Sequence, residues 1–215
     1  MKKTVKRKTA PVKWMIAVAA ALVAVLGIVL AVHAVGTKNT EAPAEGLLTG
    51  KHYVEIAIAD YGTITAELDA DVAPITVTNF VDLVKSGFYD GLTFHRIISG
   101  FMIQGGDPNG NGTGGSANRI KGEFSANGVK NDMLHERGVL SMARSSAPDS
   151  ASSQFFIMHE KAPHLDGQYA AFGKVLSGME VVDTICATVP VADYNGTVIK
   201  ANQPVITSIK LIEKP

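Results

Sequence analysis

Over residues 53–213 the apolar residues fall in short runs, most of them alternating, and glycine or proline interrupts almost every one. A period of two is that of a strand with one buried face, and runs this short leave little room for helices. Val54, Ile56 and Ile58 alternate, Tyr61-Gly62 turns the chain, and Ile64, Ala66 and Leu68 alternate again, which predicts a hairpin. Further strands are predicted over 92–98, 102–104, 139–143, 154–158, 170–175 and 204–213, the last with Val205, Thr207, Ile209 and Leu211 on one face. Two helices interrupt them. Pro74 sits as a first-turn proline ahead of Val77, Phe80, Val81 and Val84, and Ser86-Gly87 ends that helix. The second is expected over 179–187 with Ser177 as its cap. Many short strands with two isolated helices predict a mainly β fold, a closed antiparallel barrel rather than alternating βαβ units.

The N-terminal part obeys different rules. Residues 1–13 carry six basic residues and no acid, and the 22 residues 14–35 contain no Lys, Arg, Asp or Glu. At ~1.5 Å per residue such a helix spans a hydrocarbon core of roughly 30 Å, and Trp14 sits where an indole favours the headgroup region. The basic cluster predicts a cytoplasmic N-terminus, a single transmembrane helix and everything after Val35 outside. The alternative is a cleaved signal sequence ending near Val32-His33-Ala34, with the protein secreted. The length of the apolar run favours an uncleaved anchor, and either reading exports the rest of the chain. Residues 36–50, with Pro43 and three glycines, read as a flexible tether, leaving 51–215 as the folded domain. Setting aside the six basic residues leaves 14 positive against 20 negative charges, so the remainder is acidic and lacks a nucleic-acid footprint. The single cysteine, Cys186, excludes an intramolecular disulfide and falls in the apolar pattern of the second helix, where it reads as a buried thiol.

The chemistry concentrates in a few segments. Phe94-His95-Arg96-Ile97-Ile98 precedes Gly100-Phe101-Met102-Ile103-Gln104-Gly105-Gly106-Asp107, and Ser153-Gln154-Phe155-Phe156-Ile157 and His164-Leu165-Asp166-Gly167 follow later. On a strand Phe94, Arg96 and Ile98 would share one face and His95 the other. A guanidinium among apolar neighbours is costly unless it has a partner or a task. The segments FHRII, GFMIQGGD, NGTGG, GVLSMAR, SQFFI and HLDGQYAAFGKV stand in the order and spacing of the cyclophilin family, which this chain closely resembles over about three quarters of its length.

The resemblance implies an eight-stranded antiparallel barrel capped by two helices, a groove on its outer face and peptidyl-prolyl cis-trans isomerase activity without a cofactor. It makes Arg96 and Gln104 the catalytic residues, Gln104 being the amide that contacts the substrate backbone. Phe101, Met102, Phe156 and Leu165 become the proline pocket, and Ala143 and Gln154 line the neighbouring groove. Gly114 matches the glycine of the Gly-rich loop. Arg144, His164 and Tyr169 stand where many relatives have Asn, Trp and His, and the His164 position predicts weak cyclosporin binding. The resemblance suggests a monomer acting on proline-containing peptides of exported or surface proteins as they fold. The alternative from another class is a proline-peptide binding module, a chaperone whose turnover is incidental; a purely structural envelope protein would bind no X–Pro peptide.

Residue chemistry agrees. Rotating an X–Pro bond breaks amide resonance at a barrier of about 20 kcal/mol, and the twisted state returns a lone pair to the prolyl nitrogen. An always-protonated guanidinium is a suitable donor to that nitrogen. Rotation needs no proton transfer, so His95 is read as structural. No histidine pattern has metal-ligand spacing, no Gly-Lys-Ser/Thr follows the glycine loop 105–115, and the serines of 141–153 form no GxSxG elbow. That glycine loop is expected to be flexible.

Overall fold

The computed structural model describes residues 46–215; the expected basic tail, the transmembrane span and tether residues 36–45 lie outside the described residues. Among the described residues no helix is long and apolar enough to cross a membrane. The end of the tether is held to the domain: the Leu48 N–H donates to Thr78 Oγ1 at 2.9 Å and the Gly50 N–H to Asp71 Oδ1 at 2.7 Å.

The chain runs β1 (Lys51–Ile58), β2 (Gly62–Asp69), α1 (Pro74–Lys85), β3 (Phe94–Ile98), β4 (Met102–Gly105), β5 (Val139–Met142), β6 (Phe155–Met158), β7 (Ala171–Ser177), α2 (Met179–Thr188) and β8 (Ile206–Ile212). Short 3-10 turns lie at Ser125–Asn127, Pro163–Leu165 and Lys200–Asn202. The strands form one antiparallel sheet in the order β3-β4-β6-β5-β7-β2-β1-β8. The expected closed barrel is not formed: this is a curled half-barrel, because β3 and β8 share no ladder. The residues just before them meet through an isolated Thr93–Val205 bridge and the Ile206 N–H bond to Leu92 O at 2.8 Å. Beyond that point the edge of β3 is taken by the segment 196–198. Ile97 N–H donates to Gly196 O at 2.8 Å, and Val198 N–H to His95 O at 3.0 Å.

The alternation expected of β1 and β2 holds, with Val54, Ile56, Ile58, Ile64, Ala66 and Leu68 all buried. On β4, β5 and β6 both faces are apolar. Ile103, Leu140, Met142, Phe155 and Ile157 point into the main core, while Met102, Val139, Phe156 and Met158 form a second cluster with Leu165 and Ala171. A strand buried on two sides reads as a continuous apolar run, hence the FFIM stretch. Phe80 of α1 is the hub of the main core, its ring centroid 5.0, 5.4 and 5.2 Å from those of Tyr89, Phe155 and Phe172. No local side chain caps α1. The buried Glu123 carboxylate instead accepts the N–H groups of Ile75 and Thr76 at 3.0 and 2.7 Å, an anion against the positive end of the helix.

Three expectations fail where one residue shifts the phase. The β3–β4 register slips between Phe94 and Arg96, so Phe94 and Ile97 enter the core while Arg96 and Ile98 face out; Phe94, Arg96 and Ile98 do not share a face. On β8 the partners jump from Ala57–Ser208 to Ile58–Ile206, leaving Thr207 as an extra residue. Ile206 and Ile209 are therefore buried, while Val205 and Leu211 stay 38% and 39% exposed. Such bulges invert a period of two within a single strand. At α2 the cap is Gly178, not Ser177, which ends β7. Gly178 has φ +92°, and a Cβ there would lie 2.4 Å from Thr63 O, so no larger residue fits the crossing. Cys186 is half-buried against the core rather than enclosed, and burial pushes its thiol up to about 11.

Candidate active site

Cross-strand pairing builds the site row by row. Arg96 of β3 lies opposite Gln104 of β4, and Gln104 lies opposite Phe156 of β6; two residues along, Ile98, Met102 and Met158 form the next outward row. Directly opposed residues share a face, so the two rows set a guanidinium and an amide beside a thioether and a phenyl ring. Phe101 enters from the β3–β4 turn, Ala143 and Arg144 from the end of β5, and His164, Leu165 and Tyr169 from the 3-10 turn and its exit. With Arg96, Met102, Gln104 and Phe156, these six side chains line a groove of about 350 Å³. Met102, Phe156 and Leu165 form its buried floor. Tyr169 stands edge-on to Phe156 at 6.1 Å, and His164 tilts over Phe101 at 5.6 Å. The remaining two expected residues, Gln154 and Gly114, line an adjoining cavity of about 300 Å³ that shares Gln104, Ala143 and Arg144 with the first.

Arg96 is held by neutral acceptors. Its Nε donates to Asn195 O at 2.8 Å and its Nη1 to Gln104 Oε1 at 3.2 Å. Among the described residues no carboxylate lies within ion-pair distance of it, and its Nη2 has no hydrogen-bond partner. Burial draws its pKa down, opposed by Tyr169 and Asp193. From Arg96 a directional chain runs across the sheet. Gln104 Nε2 donates to Gln154 Oε1 at 2.9 Å, and Gln154 Nε2 donates to Gly114 O at 2.7 Å and Gly112 O at 3.2 Å. A guanidinium only donates and a carbonyl only accepts, so both amide orientations between them are determined.

The glycine loop, expected to be flexible, is tied down at its base. The Asp107 carboxylate accepts N–H groups from Asn109, Asn111 and Gly112 at 2.8, 3.0 and 2.6 Å. Burial alone would raise this carboxyl, but the three donors outweigh it and hold it below its ordinary range. The amides that could have cradled a phosphate are thus occupied by an internal carboxylate. Gly114 is required sterically, since a Cβ there would lie 2.2 Å from Asp107 Oδ1.

Arg144 does not reach across the groove. Its guanidinium is sandwiched 4.6 Å from the Tyr169 ring centroid and 5.0 Å from that of Phe124, and its Nε and Nη2 donate to Gln168 O at 3.0 and 2.8 Å. It fixes Tyr169 as one wall.

Sequence reasoning missed several supporting groups. His135 stacks behind Phe156 at 6.0 Å, its ring nitrogens 3.0 Å from Asp166 Oδ1 and 3.0 Å from Ser141 Oγ. Burial lowers its pKa despite Asp166. Asp193 accepts the N–H groups of Asn195 and Thr197 at 2.9 and 3.1 Å, shaping the turn that offers Asn195 O to Arg96. Neither is marked by a local pattern; both matter through partners far along the chain, with only the HLDG segment flagging Asp166. His95 lies buried beneath the glycine loop with both ring nitrogens unpartnered among the described residues, and burial lowers its pKa against the pull of Asp107. No group of three or more His, Cys, Asp or Glu among the described residues is placed to hold a metal ion.

Comparison with known proteins agrees with this geometry. The family model for cyclophilin type peptidyl-prolyl cis-trans isomerases matches residues 53–211. Peptidyl-prolyl cis-trans isomerase B of Bacillus subtilis is 51% identical over 123 residues, 57% of this chain and 82% of its own length. A peptidyl-prolyl cis-trans isomerase of Helicobacter pylori is 49% identical over 126 residues, 58% of this chain and 74% of its own. The crystal structure of a Cryptosporidium parvum cyclophilin superposes with a TM-score of 0.68 at 33% identity, covering 77% of this chain and all of that one. A second structure of it, determined in the presence of the dipeptide Ala-Pro, gives 0.66 at 34% identity, over 75% of this chain and 99% of that one. With a guanidinium and an amide at the rim of an apolar slot, on this fold and with this match over most of its length, the chain belongs to the cyclophilin family and is a peptidyl-prolyl cis-trans isomerase.

Proposed function

We propose that this groove binds an X–Pro segment with the prolyl ring on the floor of Phe101, Met102, Phe156 and Leu165 and the preceding carbonyl free to turn. Arg96 is the catalytic donor. As the bond twists, the prolyl nitrogen regains its lone pair and Arg96 hydrogen-bonds to it better than in either planar isomer. That difference lowers the barrier. Gln104 keeps Arg96 in place through its Oε1 and offers its second N–H to the substrate backbone. One observation carries this reading: Arg96 faces the slot half-buried, held by neutral acceptors, with Nη2 unpaired among the described residues. The Ala-Pro dipeptide used with the Cryptosporidium parvum relative supports the same class of ligand. Replacing Arg96 by Ala should lower kcat/KM for an X–Pro peptide at least about tenfold, or ~1.4 kcal/mol of transition-state stabilisation. A coupled isomerisation assay on residues 46–215 decides it, and full turnover in Arg96→Ala would remove Arg96 from the mechanism.

The basic residues 1–13 and the uncharged segment 14–35 support placing the enzyme outside the membrane, where it assists exported or surface proteins. Membrane fractionation and the intact mass of the native protein test this, since a cleaved and freely soluble product would remove the anchor. The His164 ring in place of a larger aromatic supports weak cyclosporin binding.

A further inference from the structure

Beside the proline slot, and sharing Gln104, Ala143 and Arg144 with it, lies the cavity of about 300 Å³. Its composition is one-sided. Arg119 and Arg144 line it together with Ser116, Ser145, Ser150 and Ser152, and no Asp or Glu side chain does. The two arginines differ. Arg144 is largely engaged, bonding to the carbonyls of Gln168 and Ser145 and lying between two rings, so it contributes charge more than free donors. Arg119 is exposed and makes no hydrogen bond or ion pair among the described residues, so all its donors are available. Among the described residues the Ser152 hydroxyl also has no hydrogen-bond partner. Asp149, a nearby carboxylate, is directed elsewhere: it accepts from Gly122 N–H at 2.9 Å and Asn127 Nδ2 at 2.7 Å.

We propose that this cavity selects substrates: it takes an acidic side chain carried by the same peptide within a few residues of the proline, with Arg119 as its specificity-determining contact. The inference rests on the proline slot being the substrate groove. The spacing is permissive, because an extended peptide advances about 3.3 Å per residue and the two cavities share three lining residues. The electrostatics favour an anion. Two positive groups without a lining carboxylate concentrate acidic ligands and penalise a basic side chain at the same place.

The test is a set of fluorogenic X–Pro peptides with Glu, Ala or Lys placed in turn at each of the positions flanking the X–Pro pair, assayed with the described domain at low and high salt. At one position kcat/KM should follow Glu over Ala over Lys, with Glu exceeding Ala about two- to fivefold at low salt, and the spread should shrink as salt rises. In Arg119→Glu the order should reverse at that position. Reading the Glu-to-Lys ratio within each variant cancels any change in overall activity. Equal rates for Glu, Ala and Lys at every position would overturn the proposal, as would a Glu preference that Arg119→Glu leaves intact. Failure of the substrate reading itself looks different, since no peptide, the Ala series included, would be accelerated.

Discussion

Phe155 and Phe156 are adjacent, both buried, and have opposite tasks. Phe155 points into the main core against Phe80, Tyr89 and Phe94, whereas Phe156 points outward into the floor of the groove with His135 behind it. Removing Phe155 leaves a cavity walled by aromatic rings that cannot collapse, so Phe155→Ala should cost about 3–5 kcal/mol of stability in denaturant unfolding. Phe156→Ala opens onto space that solvent already reaches. Its main effect should be on activity, a loss of about tenfold or more in kcat/KM, ~1.4 kcal/mol, with a smaller loss of stability than Phe155→Ala. The reverse pattern, with the first variant catalytically poor but stable, would mean that the two faces of β6 have been exchanged. No residue-level propensity separates these phenylalanines; only strand parity does, and parity is reliable only where the register does not slip.

Slips decided what could be read from the residues at the scale of elements. The hairpin β1–β2 and both helices followed from periodicity because their buried faces keep one phase throughout. An alternation rule assigns the β3 and β8 faces wrongly because it is blind to the bulge inside each strand. Nearly all groove residues were recognisable as motif positions, but the groups that hold them were not, since Asn195 lies 99 residues from Arg96 and Asp166 lies 31 from His135. The turn 193–197 illustrates such an element. Asp193 gathers two backbone N–H groups, Gly196 at φ +79° has no room for a Cβ beside Ile97 O, and the result is a carbonyl aimed at Arg96. Asp193 is exposed, and hydrogen bonds from Thr197 hold its pKa down. It therefore acts as a positioning residue. Asp193→Ala should lower kcat/KM about three- to tenfold on neutral peptides, while Asp193→Asn, which retains the acceptor oxygen, should restore most of it. If Ala and Asn behaved alike, the carboxylate charge rather than the turn would be what Arg96 feels.

For the whole molecule, two buried histidines couple folding to pH. His95 faces Asp107, Arg96 and Lys200, and His135 faces Asp166 and His164; in both, burial outweighs the attracting carboxylate and lowers the pKa below its ordinary 6.5. The unfolded chain then takes up these protons first as pH falls. Stability should be level above about pH 6.5, the unfolded value. Below it the stability should fall until the folded pKa values are reached, at no more than about 1.4 kcal/mol per pH unit for each histidine. Asp107, Asp149 and Asp193 are held below their ordinary 3.8, so their contribution is lost only in more acidic solution than that in which the histidine effect begins. Urea unfolding of the described domain at several pH values between 7.5 and 5 measures the slope directly. His95→Asn should make it shallower whatever its effect on absolute stability, because a side chain that cannot titrate removes one proton from the difference between the two states. A profile that stays flat to pH 5, or a slope unchanged in His95→Asn, would show that this ring takes its proton inside the folded protein as readily as outside it. That would require the layer under the glycine loop to admit water and counter-charge, in conflict with the enclosure of both His95 nitrogens.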